Sequence, residues 1–227
     1  MGAKDNLWIA GHAIHWAGCI TFNPFNTNEA WVTSGNGVFR SQNVNAEKPI
    51  WNFESRGIEE TVPLDIVSVP GGPLVTAIGD YDGSSFDDIH KSTALHNPRI
   101  GTTHSLGYAP LNGSFLRTGI VTDYSTGTGI TSNKMYFSED NAKTWTETPT
   151  PKGSHGLVVL SADAKSWLHR MDNSSTVYYS TDQGKNWSAV TGLDAQSQYA
   201  KIVPDPVNPN VFYVLDQQGK LKKSTDQ

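Results

Sequence analysis

Cysteine is almost missing from this chain of 227 residues: Cys19 stands alone and cannot close an internal disulfide, so cysteine usage leaves the redox compartment open. Basic charge is short as well. Lys and Arg total 17 against 22 Asp and Glu, for a net charge of −5, which removes the cationic excess that a polyphosphate backbone demands and argues against a nucleic-acid partner. No apolar run reaches the ~20 residues of a membrane-spanning helix. Met1 to Asp5 lacks the charged-then-apolar pattern of a secretion signal. These absences predict a soluble chain with no membrane partner. Gly-rich phosphate loops, G-x-S-x-G elbows and Cys/His clusters are missing too, so no cofactor and no metal are expected.

What the chain does have is turn formers and aromatics: 21 Gly, 12 Pro, 7 Trp and 8 Tyr, with only 17% charged residues. That profile suits many short strands joined by tight turns and disfavours long helices. One stretch organises the rest. Tyr178 and Tyr179 favour a pleated strand, Asp182 can fold its carboxylate back onto turn amides, Gly184 can take a positive φ, and Trp187 opens the next strand with a large surface to bury. The same frame recurs at Ser138-Glu-Asp-Asn-Ala-Lys-Thr-Trp145, and its first half at Ser224-Thr-Asp-Gln227. The spacing is 42 residues from Ser138 to Ser180 and 44 from Ser180 to Ser224. A period in the low forties is the size of one four-stranded propeller blade.

A second alignment extends the repeat. Asn23-Pro24 corresponds to Asp205-Pro206, Trp31-Val32 to Tyr213-Val214, and Ser41 to Ser224; an Asx-Pro step between hydrophobic strands is a turn signal, because Pro sets φ and the Asx side chain caps the bend. The chain therefore divides into blade-sized units at about 7–55, 56–98, 99–150, 151–192 and 193–227. The expected fold is an all-β β-propeller of about five blade units spanning 1–227. Either Leu7-Trp8-Ile9 supplies the last blade's fourth strand and closes the ring, or the chain is a fragment of a larger seven-bladed one. Residues 84–102 have no clean periodicity, and long irregular loops in compact domains are functional or disordered.

The Ser-x-Asp-x-Gly-x-x-Trp pattern at 180–187 resembles the Asp-box of β-propellers; the Ser138 copy departs from it with Ala142 at the Gly position. A more specific resemblance runs through Gly11-His-Ala-Ile-His-Trp16, Asn23-Pro-Phe-Asn26, Thr33-Ser-Gly-Asn-Gly37, Gly57-Ile-Glu-Glu60, Gly79-Asp-Tyr-Asp-Gly83 and Phe86-Asp-Asp88. In that order these motifs look like the second propeller of the family 74 glycoside hydrolases, the xyloglucanases. The resemblance implies two propellers facing across a cleft and inverting hydrolysis of a β-1,4-glucan, with one catalytic Asp from each propeller. It places the general acid at Asp80. The first propeller's Asp motif has no counterpart here, so only the acid half of the site is expected, completed by a second propeller domain or chain. An extracellular location and a polysaccharide or oligosaccharide partner follow from the same resemblance.

Taken without the resemblance, Asp80, Asp82, Asp87 and Asp88 read as a solvated acidic loop or an Asx-turn network around Gly83. With it, Asp80 is the acid, and His12, His15, Trp16, Tyr81, Asp82, Phe86, Asp87 and Asp88 are the expected substrate-binding residues. A metal is not expected. His12 and His15, three apart, do not share a face of a strand, and Asp80, Asp82 and Gly83 do not continue into a calcium loop. The alternative function is a non-catalytic propeller that binds carbohydrate or protein.

Overall fold

The structure is a computed structural model that describes residues 9, 14, 16–58, 60–123, 129–151, 155–172, 174–193, 200–215 and 218–226. The chain is all-β, and it divides into two compact units: Met1–Thr61 with His90–Ala94, and Val62–Ile89 with Leu95–Gln227. No helix among the described residues is long and apolar enough to cross a membrane.

The first unit is one antiparallel sheet in the order β1-β2-β3-β4, with β1 Cys19–Asn23, β2 Asn26–Ser34, β3 Gly37–Ser41 and β4 Asn52–Phe53. The Asn23-Pro24 step turns the chain as expected: Asn23 Oδ1 accepts the Phe25 N–H at 2.9 Å, and the strand resumes at Asn26. Ala30, Val32, Phe39 and Phe53 are buried, with the Phe39 and Phe53 rings edge to face at 5.3 Å.

Among its described residues the second unit holds four antiparallel sheets. They are β5 Val62–Ser68, β6 Leu74–Gly79 and β7 Ser85–Phe86; β8 Thr102–Ala109, β9 Ser114–Asp123, β10 Ile130–Ser138 and β11 Thr146–Glu147; β12 Gly156–Leu160, β13 Trp167–Met171, β14 Val177–Ser180 and β15 Ser188–Ala189; and β16 Ile202–Pro204, β17 Phe212–Leu215 and β18 Leu221–Ser224. Each is a meander of neighbouring strands, and the first strands pack in succession, β5 on β8, β8 on β12 and β12 on β16. That is the β-propeller plan: sheets in chain order, each laid on the next. Among the described residues, five sheets fall in the five blade-sized stretches. The core is built between the sheets. Val75, Ala77, Phe115 and Trp145 fill the space between the second and third, Leu116, Met135, Leu160 and Trp167 that between the third and fourth, and Val159, Ile202, Phe212 and Val214 that between the fourth and fifth.

The repeated turns share one bonding scheme. Ser138 and Ser180 each donate to the Asp two residues on at 2.8 Å, and their Oγ atoms accept the amides of Ala142 and Gly184 at 3.1 and 2.9 Å. Asp140 then accepts the Thr144 amide at 2.9 Å, and Asp182 the Asn186 amide at 2.9 Å. Ala142 has φ 62°, so the departure from Gly places an L-residue in the left-handed region, at about 1–2 kcal/mol. Ser41 with Asn43 and Ser224 with Asp226 repeat the first bond at 3.1 and 2.7 Å. Trp145 is buried and Trp187 half-buried. Of Leu7-Trp8-Ile9, expected to supply the closing strand, Leu7 and Trp8 lie outside the described residues, and Ile9 is buried and belongs to no strand.

These turns carry a titration signature. The Asn186 amide and side chain, with the Ser180 hydroxyl, hold the Asp182 carboxyl at about 2 instead of an ordinary 3.8. A depressed folded-state value means stability that is present above pH ~4 and lost as the pH falls through 2. Carbon-detected NMR of the Asp182 side chain is expected to show its midpoint near 2, and the Asp182→Asn protein should lose stability less steeply than the parent as the pH falls from about 4 to 2. A midpoint in the ordinary carboxylate range would mean the turn bonds are not made in solution.

Candidate active-site loop

The bend Gly79-Asp-Tyr-Asp-Gly83 leaves the end of β6 and returns to it. Tyr81 N–H donates to Gly79 O and Gly83 N–H to Tyr81 O, both at 2.7 Å, while the central residues Asp80 and Asp82 each have φ 64°. Bonds of this i→i+2 kind around a positive φ make two successive γ-turns, a rare and strained backbone form. At Gly83, φ 132°, any Cβ would run into the Thr76 carbonyl, so glycine is obligatory there. The bend is pinned from outside: Asp80 N–H donates to Thr102 Oγ1 at 2.9 Å and Asp82 N–H to Gly101 O at 2.6 Å.

The two aspartates of the bend face opposite environments. Asp80 is exposed. Asp82 is 0% exposed, and its carboxylate is committed to the Arg117 guanidinium at 2.5 Å, the Ile100 amide at 2.8 Å and the Thr103 hydroxyl. Asp82 does not bind substrate as the sequence predicts, because no oxygen of a fully buried, triply bonded carboxylate reaches a ligand. Arg117, itself 0% exposed, donates a second bond to Pro98 O and stacks under Tyr136 at 4.9 Å and Trp145 at 4.6 Å. The ion pair, the carbonyl and two aromatic faces offset its desolvation in part, while its Nε is buried with no hydrogen-bond partner among the described residues. His96 closes the cluster, its ring 5.3 Å from that of Trp145 and its Nε2 3.1 Å from Thr76 O. Burial, with Arg117 beside it, pushes His96 down to about 4, so it is neutral at pH 7.

A chain of contacts therefore runs from the repeat to the site. Trp145 of the Ser138 turn supports Arg117, Arg117 holds Asp82, and Asp82 shapes the bend that presents Asp80. Tyr81 and Phe86 are half-buried beside it in sequence, Asp87 is exposed and Asp88 half-buried. Trp16 belongs to the other unit, where it is 81% exposed with φ 52° and lies over Gly35. His12 and His15 lie outside the described residues. Among the described residues no three His, Cys, Asp or Glu side chains gather as metal ligands. Sequence reasoning missed Arg117, although a signal was present: an arginine amid the apolar run of β9 must find a buried counter-charge.

No protein-family model matches the chain. It is similar to a xyloglucanase from a Paenibacillus species, 31% identical over 86% of this chain and 20% of that protein. Among solved structures it is similar to a family 74 glycoside hydrolase from Niastella koreensis, with a TM-score of 0.85 and 35% identity over 98% of this chain and 31% of that one. The xyloglucanase of that family from Xanthomonas campestris superposes with a TM-score of 0.80 at 28% identity, over 98% of this chain and 33% of that one. The chain thus spans between a fifth and a third of the length of these relatives.

Proposed function

We propose that this chain, which resembles the family 74 glycoside hydrolases along nearly its whole length, is the acid-bearing propeller of such an enzyme. It acts on xyloglucan or a related β-1,4-glucan outside the cell, with Asp80 as the general acid. The observation that carries the reading is the contrast within one bend: Asp82 is spent on a buried anchor, while Asp80 is held out to solvent on a strained backbone that the anchor keeps in place. Strain of this kind persists where surrounding structure over-determines it, and it gathers at functional sites. We read the Ser-x-Asp turns as Asp-boxes, staples that stiffen the scaffold and take no part in the chemistry.

Inverting hydrolysis needs a second carboxylate about 6.5–9.5 Å from the acid to activate water. In this reading a second propeller supplies it, and this chain contributes protonation of the leaving oxygen and part of the glucan track. Tyr81, Phe86, Asp87, Asp88 and Trp16, with His12 and His15, are the proposed substrate contacts.

The test is reconstitution. The chain alone is expected to bind xyloglucan oligosaccharides weakly with little turnover. Joined to the first propeller of a xyloglucanase it should hydrolyse xyloglucan, and Asp80→Asn should then cut kcat about 10²–10⁴-fold with oligosaccharide affinity largely kept. Full activity of the Asp80→Asn protein would show the wrong carboxylate was chosen. Binding that survives in a joined protein with no turnover at all would instead favour the non-catalytic carbohydrate-binding module.

A further inference from the structure

A groove of about 460 Å³ lies between the fourth and fifth sheets. Leu168, Val190 and Leu193 line it from the fourth sheet and its trailing segment, and Ile202, Phe212 and Val214 from the fifth. Ser224 and Asp226, the partial third copy of the repeated turn, share in the lining.

Strand register identifies what the equivalent places hold one and two sheets earlier. Ser138, Ser180 and Ser224 open the three turns, and they pair with Phe115, Trp167 and Phe212. The residues two before them, Tyr136, Tyr178 and Lys222, pair with Arg117, His169 and Val214. In the two complete copies this last position carries the turn's own tryptophan. The Arg117 guanidinium lies 4.6 Å from the Trp145 ring, and the His169 ring lies 5.9 Å from that of Trp187. In the fifth sheet the equivalent residue, Val214, faces the groove.

The other wall repeats as well. The Ser180 turn rests on the residues that follow β11: Thr148 Oγ1 donates to Gln183 O at 2.8 Å, and a Cβ on Gly184 would meet Thr148 and Pro149. Val190 and Thr191 follow β15 as Thr148 and Pro149 follow β11, and both line the groove. The two walls are therefore those that seat an indole one sheet earlier. Ser224-Thr-Asp-Gln227 matches Ser180-Thr-Asp-Gln183 letter for letter, and Ser224 makes the same bond to Asp226 at 2.7 Å. Exposure marks the difference, since Ser138 and Ser180 are 2% exposed in their complete turns and Ser224 is half-buried. A short fourth strand directly follows the tryptophan in the third and fourth sheets, whereas the fifth has three strands among the described residues.

We propose that this groove is a socket for a tryptophan-bearing polypeptide segment, the second half of the turn frame: Gly-x-x-Trp followed by two residues that pair with β18. The chemistry selects a polypeptide over a free apolar ligand. In the complete turns the Ser and Asp side chains accept backbone amides, so the occupant must bring amides together with an indole. A second copy of this chain does not fit, because its one Gly-x-x-Trp, Gly184 to Trp187, is already seated in its own turn. Such a segment would bury its indole in the apolar seam and add a strand to the sheet edge. The socket stands independently of any sugar bound near Asp80.

The test extends the full chain behind Gln227 with a copy of its own residues 184–190, Gly-Lys-Asn-Trp-Ser-Ala-Val, and compares it with the same extension carrying alanine in place of the tryptophan. The tryptophan form is expected to unfold about 5 °C or more above the alanine form, with its added indole shielded from acrylamide quenching. Equal midpoints, or an added indole as open to the quencher as free tryptophan, would overturn the proposal. Light scattering of the unextended chain reads the rival occupant. A stable dimer that the extension does not dissociate would give the groove to a second copy and overturn the proposal too.

Discussion

Asp82→Ala is expected to lower the unfolding free energy by about 3–5 kcal/mol, the usual result of removing one partner of a buried ion pair. Arg117 would be left charged at 0% exposure, facing only Pro98 O and the aromatic faces of Tyr136 and Trp145. The Ile100 amide and Thr103 hydroxyl would lose their acceptor in the same step. Because the pair is out of water, the loss should be nearly independent of salt, unlike that of the exposed Lys134–Glu147 pair, where less than about 1 kcal/mol is at stake. The double variant Asp82→Ala with Arg117→Met should recover part of the loss, since it removes the stranded charge while keeping apolar volume under Trp145. Urea denaturation of the three proteins checks this, and a single-variant loss below ~1 kcal/mol would show that the pair is not buried in solution. If the anchor shapes the bend, Asp82→Ala should also cost the reconstituted enzyme activity, although Asp82 touches no substrate.

Trp167→Ala is the other large effect. Trp167 is 0% exposed between the third and fourth sheets, its ring 4.7 Å from Phe137 and its Nε1 donating to Ala164 O at 2.9 Å. Truncation removes the transfer free energy of the indole and leaves a cavity, together about 3–5 kcal/mol. Trp187, with the same Nε1 bond to Gly184 O but only half-buried, should cost less when truncated. Thermal or urea unfolding should therefore rank Trp167→Ala below Trp187→Ala in stability. The reverse order would mean that the fourth sheet does not pack on the third as described.

Trp167 also marks a limit of pattern reading. It ends a turn, Ser161-Ala-Asp-Ala-Lys-Ser-Trp167, in which Ser161 donates to Asp163 at 2.8 Å and the Trp bonds back three residues. This is one residue shorter than the repeat and joins the first two strands of its sheet instead of the last two. A search at the period of the low forties passes over it, because its spacing from Ser138 and Ser180 is not a multiple of that period.

The Ser-x-Asp turns and the bend at 79–83 were determined by the sequence alone, because each is made of bonds spanning two to four residues, and the recurrence of the turns marks the blade-sized period. A hydroxyl or carboxylate that reaches only its own turn leaves its mark in the local string, and so does a glycine at a position no Cβ can occupy. The roles of Asp80 and Asp82 were not. They sit two apart in one bend with the same φ, and nothing local separates them. What decides is Arg117, 35 residues away on β9 and turned inward at 0% exposure, which draws one carboxylate into the core and leaves the other at the surface. The His104–His155 stack was equally invisible, since it joins β8 to the residue before β12 across 51 positions. Burial of charge depends on partners that only packing brings together, so which aspartate anchors and which is presented was decided by the tertiary structure.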